Sequence, residues 1–149
     1  MLTKKGKYGL KAAVHLARLR PGESALVADI AEANKIPKKF LDAILAELRN
    51  AGIVHSRKGK GGGYTLARQA DKVFVGEIVR ALDGPLAPIA CASRNFYRRC
   101  EDCPDQTGCA VRLMMVEVRD AIAGVLDRQT LADMRDLVAD EMDAFVYHI

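Results

Sequence analysis

Residues 37–67 read PKKFLDAILAELRNAGIVHSRKGKGGGYTLA, and this stretch changes periodicity in the middle. Phe40, Leu41, Ile44, Leu45 and Leu48 recur at the spacing that gathers side chains on one side of an α-helix. Pro37 suits the start of that helix, because its missing N–H would have no intrahelical partner in the first turn. Asn50-Ala51-Gly52 ends it with a glycine suited to a left-handed cap. Two short strands follow, Ile53 to Ser56 and Tyr64 to Ala67, joined by Arg57-Lys58-Gly59-Lys60-Gly61-Gly62-Gly63. Short strands on either side of a glycine-rich loop predict a β-hairpin.

On the amino-terminal side, Leu10, Ala13, Val14 and Ala17 predict a first helix over residues 4–19 that stops near Pro21-Gly22. Val27, Ile30 and Ala31 mark a short second helix. Three helices followed by a hairpin with a basic tip are the order of a winged helix-turn-helix, so the expected class is mainly α with a small β-hairpin wing. Charge agrees. Residues 1–70 hold fourteen Lys and Arg against five Asp and Glu, whereas residues 71–149 hold nine against fourteen. The total of +4 therefore hides a basic half suited to a polyanion, since each phosphate contact releases condensed counterions.

Duplex DNA is the expected partner. The outer side of the third helix would enter the major groove, placing Lys38 and Lys39, with Asp42 and Arg49, near bases or phosphates. In the wing, Arg57, Lys58 and Lys60 supply charge, while Gly61 and Gly62 let the backbone approach phosphates. Thr3, Lys4, Lys5 and Lys7 at the start of the first helix could clamp a neighbouring phosphate.

Beyond the wing, Val75, Ile78, Val79 and Leu82 stripe a fourth helix that ends at Gly84-Pro85. Val111, Met115, Val118, Ile122 and Val125 then step by four, three, four and three, a heptad-like seam, and Leu113, Met114, Val116 and Leu126 widen it. A helix so apolar, lying outside a small DNA-binding core, calls for the same helix of a second subunit, which predicts a homodimer. Thr130-Leu131-Ala132-Asp133 reads as a capping box opening a last helix with Met134, Leu137, Val138 and Phe145 inward. The expected organisation is a winged DNA-binding domain over 1–84, a cysteine-bearing loop, a candidate metal- or cluster-binding segment, over 85–109, and a dimerisation helix with a C-terminal helix over 110–149.

All four cysteines fall in that loop: Cys91, Cys100, Cys103 and Cys109, spaced C-x8-C-x2-C-x5-C. Thiolates gathered this closely suit zinc or an iron-sulfur cluster. Arg98, Arg99, Glu101 and Asp102 make the stretch too polar for core. No run of eighteen apolar residues exists, so no membrane partner is expected. Lys11, His15 and Arg18 break any apolar signal segment, and the expected location is the cytoplasm, where clustered cysteines serve as ligands or redox thiols. His15, His55 and His148 are expected to be structural or solvated, or in the case of His55 a phosphate contact.

Met1-Leu2-Thr3-Lys4-Lys5-Gly6-Lys7-Tyr8-Gly9-Leu10, Leu48-Arg49-Asn50-Ala51-Gly52-Ile53-Val54 and Gly62-Gly63-Tyr64-Thr65-Leu66-Ala67-Arg68 resemble the Rrf-type bacterial transcription regulators, which include IscR, NsrR, RirA and CymR. The resemblance runs nearly the whole chain, including Cys103-Pro104 before Cys109 and the Thr130-Leu131-Ala132-Asp133 step. It implies a homodimeric repressor on a partly palindromic operator and, in many members, a [2Fe-2S] or [4Fe-4S] cluster held by three cysteines that senses iron, redox state or nitric oxide.

The fourth ligand varies in the family, and here Arg112 and Lys7 stand at two positions that supply it elsewhere. Both are cationic, which leaves a fourth cysteine as the substitute. The implied trio is Cys91, Cys109 and Cys103, the last favoured by its C-x5-C step, with Cys100 as the extra thiol. Two other readings compete: the same regulator with a zinc or thiol-redox switch, and a thiol oxidoreductase using Cys100 and Cys103. Catalysis is disfavoured because Glu101 and Asp102 would raise the pKa of those thiols and no βαβ pattern surrounds them.

Overall fold

The computed structural model describes residues 2–147. Helices α1 (Lys4–Ala17), α2 (Val27–Asn34), α3 (Lys38–Asn50) and α4 (Val75–Asp83) surround one core, with strands β1 (Val54–Arg57) and β2 (Gly63–Leu66) between α3 and α4. The cysteine loop carries a 3₁₀ turn at Ala90–Ala92, followed by α5 (Ala110–Leu126) and α6 (Leu131–Tyr147). The result is mainly helical with one antiparallel hairpin, as the sequence pattern requires.

The core follows the helical stripes. Ala12, Ala13 and Leu16 of α1, Ile30 of α2, Leu41, Ile44, Leu45 and Leu48 of α3, and Ile78 and Leu82 of α4 pack as one buried cluster. Each large aliphatic side chain there contributes about 1.5–3 kcal/mol by leaving water. The turn between α2 and α3 is set by Lys35, which sits in the left-handed region at φ 54°, and by Ile36, whose N–H donates to the Ala31 carbonyl at 2.9 Å. Phe40, expected inward, lies at the rim instead, 39 % exposed and edge-on to Tyr8 with ring centres 5.7 Å apart.

The strands lie one residue away from their expected bounds because Ile53 closes α3 and fills the core. Its N–H donates to the Leu48 carbonyl at 2.9 Å. The hairpin pairs Val54 with Leu66 through Arg57 with Gly63. A bridge between Ala25 and Tyr64 ties the segment before α2 to β2, with hydrogen bonds of 2.9 and 2.8 Å. Gly63 permits this approach: it adopts φ 134°, and a Cβ there would collide with the Ala25 carbonyl oxygen.

The last segment returns to the winged core. Leu131 is fully buried in it, its N–H donates to the Val73 carbonyl at 2.9 Å, and the Val75 N–H donates to the Gln129 carbonyl at 2.9 Å. The expected capping box is present, with Thr130 N–H on Asp133 Oδ2 at 2.9 Å and Asp133 N–H on Thr130 Oγ1 at 3.1 Å. The first turn of α6 therefore belongs to the same core as α1–α4. Met134 packs against that core, but Leu137, Val138 and Phe145, expected inward, are exposed, because α6 runs past the end of α1 after its first turns. Arg135 marks that crossing by donating to the Ala17 carbonyl at 3.2 Å.

α5 buries none of its residues fully. Its expected seam divides in two. Ile122 and Leu126 turn toward Leu10 and Val79 and line a groove of about 360 Å³ against α1 and α4. Val111, Met114 and Val125 stay exposed, with Val118 on the same side by helical spacing.

Candidate functional site

Two surfaces carry chemistry. The first is basic. Lys38, Lys39, Asp42 and Arg49 are exposed on α3, opposite its buried stripe. Lys38 Nζ lies 3.2 Å from Asp42 Oδ2 one turn along, so its charge is partly offset. At the start of α1, Lys4 and Lys7 are exposed and have no carboxylate partner among the described residues, whereas Lys5 Nζ sits 2.7 Å from Glu47 Oε2 of α3. Thr3 serves the fold: its hydroxyl accepts the Gly6 N–H at 3.2 Å and donates to Asp83, and its N–H donates to Asp83 Oδ2 at 3.0 Å. That network fixes the amino terminus of α1, where the Asp83 carboxylate already answers the helix dipole beside the exposed side chains of Lys4 and Lys7.

The wing projects Arg57, Lys58 and Lys60 into solvent. The Ser24 hydroxyl, at 2.7 and 3.3 Å from the carbonyl oxygens of Gly61 and Gly62, fixes the tip, and Arg57 Nη1 reaches the Gly22 carbonyl at 3.5 Å. Of the cations expected to meet DNA, Lys4, Lys7, Lys39, Lys58 and Lys60 thus lack ion-pair partners among the described residues, while Lys5 and Lys38 have them.

The second surface is the cysteine loop, where all four thiols line one cavity of about 370 Å³ together with Ile89, Tyr97 and Arg112. Cys91 is buried in the 3₁₀ turn, Cys103 and Cys109 are half-buried, and Cys100 is exposed. Cys91 Sγ and Cys100 Sγ are 3.7 Å apart. Two thiolates about 2.3 Å from one tetrahedral metal would be about 3.8 Å apart, so this pair already has the separation of a site edge. Cys109 caps α5, its sulfur accepting the Arg112 N–H at 3.5 Å. The adjacent Cys91 pushes the Cys100 thiol up, with a smaller contribution from Asp102. Among the described residues, no group of three or more His, Cys, Asp or Glu is arranged to hold a metal ion. An all-thiolate set in a shared cavity nonetheless fits zinc or an iron-sulfur cluster by donor chemistry.

Sequence spacing did not reveal how the loop is held. Arg112 Nε donates to the Cys91 carbonyl at 2.9 Å, and its guanidinium lies 6.0 Å from the centre of the Tyr97 ring. Arg119 Nη1 donates to the Ala92 carbonyl at 2.6 Å. The signal was present as two arginines seven residues apart on the inner side of α5. At the other end of that helix, Arg80 of α4 makes a bidentate pair with Asp127 at 2.6 and 2.8 Å, which holds the Asp127 carboxyl below the usual carboxylate range.

Two of the three histidines lie among the described residues. Asn34 Nδ2 donates to His15 Nδ1 at 3.2 Å, and burial, with help from Arg18, keeps His15 below the ordinary histidine range. His55 is exposed on β1, and His148 lies outside the described residues.

A family model, Rrf2, described as an iron-dependent transcriptional regulator, matches residues 2–137. The chain belongs to the Rrf2 family. An rrf2-like HTH-type regulator of Rhodobacter capsulatus is 41 % identical over 137 residues, covering 90 % of this chain and 91 % of that protein. The structure of CymR, the global cysteine regulator of Bacillus subtilis, superposes with a TM-score of 0.76 at 32 % identity, covering 92 % of this chain and 97 % of CymR. IscR of T. potens gives 0.74 at 30 % identity, over 97 % of this chain and 90 % of that one. As an Rrf2 member the chain is a winged-helix transcriptional regulator of a DNA-binding family, not an enzyme. No helix among the described residues is long and apolar enough to cross a membrane.

Proposed function

We propose that this Rrf2 protein is a cytoplasmic homodimer that binds operator DNA and represses transcription by occupying it, with affinity set by an iron-sulfur cluster held by Cys91, Cys100, Cys103 and Cys109. The observation that carries the regulatory half is the convergence of all four thiols of the chain on one cavity at the start of α5. When bound, a cluster would supply a redox- and iron-responsive charge and a covalent tie between the 3₁₀ turn, the 100–103 segment and the cap of α5. The protein's own residues do the rest. Lys4, Lys7, Lys39, Arg57, Lys58 and Lys60 contact phosphates or bases; Thr3, Lys5 and Lys38 support that surface through their intramolecular partners; Gly61 and Gly62 shape the wing. The outer stripe of exposed Val111, Met114 and Val125, with half-buried Val118 among them, would meet its copy in the second subunit.

Residues 85–109 form the sensing segment between the winged domain and α5. A coupling of about 1–3 kcal/mol between site and operator would change affinity roughly 5- to 150-fold, enough to switch a promoter. A second reading, a zinc or thiol-redox switch on the same scaffold, is favoured by the close Cys91–Cys100 pair and by the cysteine regulator among the structural neighbours.

Purification without oxygen, with iron, sulfide and zinc counted per chain and operator affinity measured with and without the group, separates the two. Iron and sulfide in the wild type, lost on Cys91→Ala or Cys109→Ala with the fold intact, support the cluster. Stoichiometric zinc, or no metal with a peroxide-dependent affinity, supports the second reading.

A further inference from the structure

We infer that Arg112 and Arg119 are positioning residues that latch the Cys91 turn onto α5, so that α5 registers the state of the cysteine site. This rests on that site being regulatory, as proposed above. The two arginines are seven residues apart, two helical turns, and so project from one side of α5. Their guanidinium groups reach consecutive carbonyls of the Ala90–Ala92 turn, Arg112 that of Cys91 at 2.9 Å and Arg119 that of Ala92 at 2.6 Å. Hydrogen bonds with a charged donor are roughly twice as strong as neutral ones. The Arg119 side chain is only 15 % exposed, and its charge is offset by Asp120, whose Oδ1 accepts from Arg119 Nε and Nη2 at 2.9 and 2.8 Å. The same oxygen accepts from Arg94 Nη2 at 2.9 Å, just past the turn. The segment carrying Cys91 is thus gripped at two carbonyls and one side chain, and all three ties lead to α5.

The far end of α5 is tied as firmly. Arg80 and Asp127 join it to α4, and the residues beyond it pair with Val73 and Val75 beside the buried core. A change in how the Cys91 turn sits is therefore delivered to a helix whose other end is anchored in the DNA-binding domain. Cys91 is also the most buried of the four thiols, which is the property a latched turn confers and a released one would lose.

The test uses the full-length chain, reduced and metal-free, with iodoacetamide labelling of each cysteine followed by mass spectrometry. Arg119→Gln should raise the labelling rate of Cys91 about tenfold while leaving exposed Cys100 unchanged, and Arg119→Lys, which keeps one charged donor, should restore part of the protection. Arg128→Gln, altering a residue at the end of α5 whose side chain, among the described residues, bonds only the Gly124 carbonyl, should do nothing. An unchanged Cys91 rate in both Arg119→Gln and Arg112→Gln overturns the latch; if Arg119→Gln does not fold, Arg112→Gln carries the test.

The second readout is the ratio of operator affinities with and without reconstituted iron and sulfide. In Arg119→Gln that ratio should fall toward one with the circular dichroism spectrum unchanged. A wild-type ratio of one defeats the iron-sulfur reading of the site, whereas a large wild-type ratio preserved in Arg119→Gln defeats only the latch.

Discussion

Replacing Lys58 and Lys60 together by Ala separates phosphate contact from mere surface charge. Both residues sit on the exposed turn between β1 and β2, and neither meets a carboxylate among the described residues, so their loss leaves the core and the hairpin register untouched. If each touches one phosphate, each adds about 0.9 to the log–log slope of affinity against salt, and the two wings of a dimer together lose about 3.6. Between about 50 and 200 mM salt that difference amounts to roughly 150-fold in the affinity that salt removes. Fluorescence anisotropy on a labelled duplex, titrated at several salt concentrations, measures it directly. Operator and random duplex should weaken alike, because phosphate contacts carry no sequence information. A fall near 1.8 would mean two phosphate contacts in place of four, from one wing or from one lysine on each. An unchanged slope in a folded double variant would refute the wing as a phosphate-binding element. Lys38→Ala should act more weakly, since the native lysine must first loosen its 3.2 Å pair with Asp42.

Gly63→Ala forces a side chain into φ 134° and against the Ala25 carbonyl, costing about 1–3 kcal/mol of strain, so urea unfolding should show that loss and DNA affinity should fall with the displaced wing. Val118→Asp places a carboxylate in the proposed seam, and light scattering should find monomer where the wild type is a dimer; a wild-type monomer at micromolar concentration would count against the interface. For Asp127 the pH sense follows from its depressed pKa, whose main cause is the Arg80 hydrogen bond. A carboxyl lowered on folding contributes stability above its unfolded value of about 3.9 and loses it as pH falls through the folded value. Both partners are about two-fifths exposed, so Asp127→Asn should cost under about 1 kcal/mol at pH 7, and the gap to wild type should close in acid.

Local periodicity made most of the fold legible. The stripes of α1, α3 and α4 and the glycine-rich hairpin each encode one element, and their order leaves few ways to form a single core. Patterns that depend on an unseen neighbour were read less well. Leu137, Val138 and Phe145 have helical spacing but no core beneath them, and the same spacing hides that Ile122 faces α1 and α4 while Val125 faces outward. Clustering of the cysteines was plain in the sequence, and the family resemblance implied Cys103, by its C-x5-C step, as the third member of a trio with Cys91 and Cys109. The chain folds so that Cys100 is the thiol beside Cys91, because a loop brings residues together by its path rather than by their separation. The arginine contacts to Cys91 and Ala92 join positions more than twenty residues apart, and no local rule anticipates them.

How a cysteine loop could influence α3, the proposed DNA-reading helix, is constrained by where the molecule is rigid. α3 is locked by Leu41, Ile44, Leu45 and Leu48, all fully buried, and a close-packed interior does not deform by degrees. Reshaping α3 itself is therefore an expensive way to change operator affinity. α5 is different: no residue on it is fully buried, and its ties are concentrated at the cysteine turn near its start and at Asp127 near its end. In a dimer built on the outer stripe of α5, a small rotation of that helix would leave each winged domain intact and move the two domains relative to each other. Affinity for a two-part operator depends on that spacing, since both recognition helices must reach their half-sites together. The division of the α5 seam follows the same logic: the inner side, with Ile122, Leu126, Arg112 and Arg119, joins the helix to its own domain and to the cysteine turn, and the outer side is the one left for the proposed second subunit.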